Sequence, residues 1–215
     1  MGASVRPVSA LRIACMPAAQ YPWPVDDCLV AGIEAAIGVM RSLGAHVEAV
    51  DLPVDFGALA EHLGIIISAE AFREHGSYID DPALPFSRRA RERVLGGKAI
   101  TAAQYLRSLE ERDQTVQRFR RALDGYDLLL TPTVPFGAPP ADSVDETMTP
   151  MSVFTRPVNY LQGCAITLPC GFDSHGMPLG VQLVAGPWQE DLLLATGASF
   201  QTVTDWHRQI PAGLD

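Results

Sequence analysis

The chain has 215 residues, 47% of them hydrophobic and 19% charged, the balance of a soluble globular protein with a sizeable core. Its 16 basic and 25 acidic residues leave a formal charge of −9, which argues against a large phosphate-binding surface and against nucleic acid as a partner. No apolar run approaches the roughly 18–20 residues that span a bilayer, and the first ten residues hold Arg6 but no apolar core, so no membrane and no secretory leader is expected and the cytoplasm is the default.

Residues 1–10 read as a linker or flexible end. Leu11 to Met16 predicts a first strand, ended by Pro17. Asp26 and Asp27 stand where a helix N-cap belongs. Leu29, Ile33, Ile37, Met40 and Leu43 then form one helical stripe, with Gly44 as the stop. His46 to Leu52 predicts a second strand, so the first half opens on a βαβ unit. Residues 56–76 predict a helix with Leu59, Leu63, Ile66, Ile67 and Phe72 on its apolar face. Ser87 to Leu95 predicts a short arginine-rich helix closed by Gly96 and Gly97. Gly97-Lys98 is not a phosphate loop: Glu92 stands at the earlier glycine position and Ala99 where a magnesium-binding hydroxyl belongs.

Thr101 and Gln104 form a capping box, and the helix it opens runs to about Leu123. Leu109, Val116 and Leu123 recur every seven residues beside Phe119. Three short apolar runs follow, at 128–130, 165–168 and 181–184. Unbroken apolarity without alternation predicts strands buried on both faces, at the middle of a sheet. Gly171 to Gly176 predicts a hairpin turn between the last two. Between the first two, a loop from Pro132 to Pro150 carries five prolines and is a long ordered excursion or a lid. Met151 to Gln162 predicts a helix interrupted near Pro157. Glu190 starts a final helix, with Leu192, Leu193, Thr196, Phe200, Val203 and Trp206 facing inward and Pro211 after it. The expected fold class is α/β: one domain over residues 1–215, a mixed β-sheet flanked by helices.

Cys15, Cys28, Cys164 and Cys170 form no CxxC pair, and the five histidines show no HxxxH spacing, so free thiols and no metal site are expected. Arg88, Arg89, Arg91 and Arg93 read as a solvated helix face or an anion-binding patch. Cys164 or Cys170 with His175 is a conceivable thiolate–imidazole pair. Lys98 is the chain's single lysine.

Six pieces in order resemble the C-terminal half of the amidase signature family: Leu11-Arg12-Ile13-Ala14; Gly44-Ala45-His46-Val47 before Leu52-Pro53; Ile100-Thr101-Ala102-Ala103-Gln104-Tyr105-Leu106; Thr131-Pro132-Thr133; Thr155-Arg156-Pro157-Val158-Asn159 with Gly163-Cys164-Ala165-Ile166-Thr167-Leu168-Pro169-Cys170-Gly171; and Gly176-Met177-Pro178-Leu179-Gly180-Val181-Gln182-Leu183. The likeness runs from about Leu11 to Pro211. It implies a partial amidase-signature fold, a mixed sheet wrapped in helices, and hydrolysis of a carboxylic amide or transfer of its ammonia. The family's chemistry uses a lysine, two serines and a Gly/Ser-rich loop, all ahead of the segment matched by Leu11. No catalytic residue is therefore expected in this chain, which alone should be inactive. The resemblance implies no metal or organic cofactor.

What the resemblance implies here is a pocket for a small-molecule amide, lined by Ser152, Phe154, Thr155, Arg156 and Asn159. In the glutamine-using A subunits of glutamyl-tRNA amidotransferases, an aspartate and an arginine hold the substrate's amino and carboxylate groups. Ser152 occupies the aspartate position and Arg93 matches the arginine, a departure that favours a general amidase. A separate N-terminal catalytic half and a second copy of the chain are the expected partners. The rival readings are a non-catalytic binding or oligomerisation module, a fragment like the amidotransferase A subunits, or a piece excised from a longer enzyme.

Overall fold

The computed structural model describes residues 6–145 and 150–210. Among them, five strands form one mixed sheet in the order β2-β1-β3-β5-β4. Strand β1 (Arg12–Cys15) leads into helix α1 (Asp27–Ser42) and then strand β2 (His46–Ala49). β1 pairs parallel with β2 and, on its other side, parallel with β3 (Leu128–Pro132). The hairpin of β4 (Cys164–Phe172) and β5 (Pro178–Ala185) adds antiparallel, with β5 against β3. β2 is shorter than predicted, because the chain leaves the sheet before Leu52. There the Gln20 side chain holds both the N–H and the carbonyl of Leu52.

Strand periodicity divides the core in two. Ile13, Leu128, Leu130, Val181 and Leu183 point to one face. They meet Leu29, Ile33 and Met40 of α1 and Leu192, Leu193 and Phe200 of α6 (Glu190–Thr202). Ala14, Leu129 and Val184 point to the other, meeting Phe56, Leu59, Leu63 and Ile66 of α2 (Phe56–His75). Phe119 of α4 (Ala102–Ala122) and Val158 and Tyr160 of α5 (Arg156–Tyr160) complete that layer. The short α3 (Arg88–Gly96) packs on α2. The contact there is backbone on backbone: a Cβ on Gly97 would lie 1.9 Å from the Ser68 carbonyl oxygen.

The capping box forms as predicted, with Thr101 and Gln104 exchanging bonds at the head of α4. Other expectations are corrected. β4 is an edge strand, not a middle one. It is buried on one face only: Leu168 and Cys170 face the core while Ala165 and Thr167 are exposed. Residues 151–155 form turns, and Pro157 sits in the first turn of α5 rather than interrupting a helix, where its missing N–H costs nothing. Ile67 and Val203 are exposed, because α2 presents Leu63 and Ile66 to the sheet instead and α6 ends at Thr202. Asp26 holds the N-cap position of α1 without a side-chain bond. Within the expected flexible end, Val8–Ala10 is a 3-10 turn with Val8 buried, and Arg6 pairs with Asp127. Residues 1–5, the 146–149 stretch of the proline-rich loop and Pro211 lie outside the described residues.

Candidate functional site

The segment 150–163 lies along the face of the sheet covered by α2 and α4, and its turns fix the candidate side chains. The Ser152 carbonyl accepts from the Arg156 N–H at 2.9 Å and from the Thr155 hydroxyl at 3.4 Å. Phe154 is fully buried, edge-on to Tyr21 with ring centroids 5.5 Å apart. Its ring therefore presents no open surface. Asn159 is exposed on α5. Arg156 is half-buried and lies over Gly64 of α2: a Cβ on that glycine would sit 3.5 Å from Nη2. Burial and the charge of Arg93 hold the Arg156 guanidinium below its usual value. α2 packs against both α3, which carries Arg93, and α5, which begins at Arg156.

Two features escape a reading of the sequence. Gln182 on β5 is buried beside Thr131 on β3, with Nε2 donating to Thr131 Oγ1 at 3.0 Å and to the Phe154 carbonyl at 3.3 Å. Gln182 therefore ties the 150–163 segment to the middle of the sheet. A glutamine inside an apolar strand is the available signal, since a buried amide demands partners. Beyond it, Thr133 and Thr167 meet across Gly180, hydroxyl to hydroxyl at 3.4 Å. A Cβ on Gly180 would fall 2.9 Å from Thr167 Cγ2. This small polar notch opens on the uncovered face of β4.

The alternative nucleophiles are not brought together. Cys170 is buried, and burial pushes its thiol up to about 12, away from the thiolate that chemistry needs. The Cys164 thiol is spent on the Gly186 carbonyl at 3.1 Å. His175 stands in the exposed hairpin turn, where its N–H donates to Asp173. Lys98 is exposed on the 3-10 turn Gly97–Ala99. Among the described residues no group of three or more His, Cys, Asp or Glu side chains could hold a metal ion. No described helix is long and apolar enough to cross a membrane.

A family model described as Amidase matches residues 4–194. The chain belongs to the amidase family. Among curated proteins it is 30% identical over 217 residues to the A subunit of glutamyl-tRNA(Gln) amidotransferase from Symbiobacterium thermophilum, covering 87% of this chain and 44% of that protein. To the corresponding protein of Halorhodospira halophila it is 30% identical over 239 residues, covering 98% and 48%. The chain therefore spans less than half the length of these relatives. Among solved structures it resembles the Kluyveromyces lactis allophanate hydrolase, with a TM-score of 0.79 and 22% identity over 90% of this chain and 32% of that one. It also resembles 6-aminohexanoate cyclic dimer hydrolase complexed with substrate, with a TM-score of 0.76 and 24% identity over 100% and 51%. These likenesses confirm the expected α/β amidase-signature fold.

Proposed function

We propose that this chain is a single-domain scaffold and pocket portion of a cytoplasmic amide hydrolase whose Ser-Ser-Lys groups lie on other polypeptide. In the whole enzyme a serine attacks the amide carbonyl, lysine moves the proton through the bridging serine, and an amine or ammonia leaves an acyl-enzyme. Ser152, Phe154, Thr155, Arg156, Asn159 and Arg93 form the substrate wall. The observation that carries this reading is the uncovered side of β4. An edge strand with Ala165 and Thr167 exposed adjoins the segment that holds these residues, which supports a wall left open on that side. The sequence offers one lysine, Lys98, and no Gly/Ser-rich loop, which supports a reaction centre located elsewhere.

The test is ammonia release from simple amides by the purified chain. None is expected. Release that disappears in Cys164→Ala or Lys98→Ala would overturn the proposal, because the chain would then hold its own nucleophile or base. The open edge of β4 favours a second reading, an oligomerisation module, for which the association state of the purified chain is the deciding measurement.

A further inference from the structure

A cavity of about 160 Å³ lies between the end of α4 and the start of β3. Leu129 and Val184 of the sheet line it, together with Phe119 and Leu123 at the end of α4 and Leu161 after α5. An apolar void of about 150 Å³ takes up a benzene ring. Two charged side chains also line the cavity, Arg120 and Asp127. Asp127 is already engaged, by the Arg6 guanidinium and by the Arg12 N–H. Arg120 is exposed and has no ion pair or hydrogen bond among the described residues, in a chain with 25 acidic residues to offer. Tyr126, a further part of the lining, is held from outside. Its hydroxyl donates to Glu48 at 2.6 Å, and the Arg12 guanidinium lies 4.7 Å from its ring centroid. This side of the cavity is therefore fixed before any ligand arrives, which lowers the cost of binding.

We propose that this cavity is a second binding site, for a small aryl carboxylate whose ring fills the apolar space and whose anion sits on Arg120. The inference goes beyond the pocket reading above and does not rest on it. None of the six substrate-wall residues lines the cavity. It adjoins Leu128 and Leu129 at the start of β3, whereas Thr131, which meets Gln182, lies further along the strand. Burying a ring removes apolar surface from water, and a guanidinium matches a carboxylate with two parallel hydrogen bonds. Either half of such a ligand gains little alone, since a bare anion would meet only a solvated arginine. An amine would face Arg120 and an aspartate whose charge Arg6 already balances. A long acyl chain exceeds the volume.

The experiment is an NMR titration of the 215-residue chain with phenylacetate, phenethyl alcohol, phenethylamine and acetate. It follows the Arg120 Nε–H and the backbone amides of Leu129, Gly163 and Val184, with Ser152 and Asn159 as reference amides. Phenylacetate is expected to shift the first group saturably and to leave the reference amides in place. Phenethyl alcohol, alike in shape but uncharged, should bind about tenfold more weakly, the loss of one charged hydrogen-bonded contact. Phenethylamine should bind more weakly still, and acetate should not saturate. Arg120→Gln breaks no contact within the protein, so it should lower phenylacetate to the affinity of the alcohol and leave the alcohol unchanged. Arg120→Lys should recover part of the difference, because it restores charge without the planar fork. Leu123→Trp, which extends a half-buried side chain into the void, should abolish the binding of both. No saturation by phenylacetate, equal affinity for the alcohol or the amine, or unchanged affinity in Arg120→Gln would overturn the proposal. So would shifts at Ser152 and Asn159 in place of the cavity amides, by putting the ligand in the substrate pocket instead.

Discussion

Gln182 is the residue that ties the 150–163 segment to the sheet. Its side-chain amide is almost wholly out of water and satisfies two acceptors at once, Thr131 Oγ1 and the Phe154 carbonyl. Gln182→Leu keeps the bulk but strands both, at about 1–3 kcal/mol; urea unfolding should report this loss. Cys170 gives a pH signature. Burial raises its thiol from 9.0 to about 12, so between those values the unfolded thiol has lost a proton that the native one keeps. Its contribution is complete below pH 9.0 and declines as pH rises toward about 12. Cys170→Ala should therefore flatten the fall in unfolding free energy across that window, and an unchanged slope would rule the thiol out. At this scale the sequence announces partners poorly. Arg93 and Arg156 are both legible as pocket candidates, but nothing in their spacing says that α2 packs against both of the helices that carry them.

At the scale of elements, propensity and periodicity are legible wherever the signal is local. The Thr101/Gln104 box needs four consecutive residues, and α4 begins there as predicted. Thr101→Ala should cost about 0.5–2 kcal/mol, measurable by thermal or urea unfolding. Gly97 makes a longer-range demand, since a Cβ there would lie 1.9 Å from the Ser68 oxygen. Gly97→Ala must push α3 off α2, costing about 1–3 kcal/mol and displacing Arg93. A variant as stable as the parent would mean the two helices are not held this closely. The elements that differ from expectation do so where a residue type has two uses. Unbroken apolarity at 165–168 predicts two buried faces, yet Ala165 and Thr167 are small enough to stand in water while Ile166 and Leu168 pack inward. Pro157 reads as a break because proline disrupts helix interiors, whereas here it opens the helix.

For the whole molecule, the asymmetry of the sheet decides behaviour. β4 presents an unpaired edge beside exposed Thr167, Phe172 and Met177, and such an edge recruits another chain. A homo-oligomer is the expected state; Thr167→Lys, which places a charge on the open face, should shift it toward monomer in light scattering. A clean monomer of the parent chain would argue against a usable edge. The order of the strands has a temporal consequence as well. Arg12 and Asp127, bonded at the junction of β1 and β3, are 115 positions apart. At about 5–20 residues per second of synthesis, the opening strand waits roughly 6–23 seconds for its inner neighbour to be made. Throughout that interval Ile13 and Ala14 lack the strand that later closes over them, so the nascent chain is a natural client for whatever shields apolar segments near the ribosome exit.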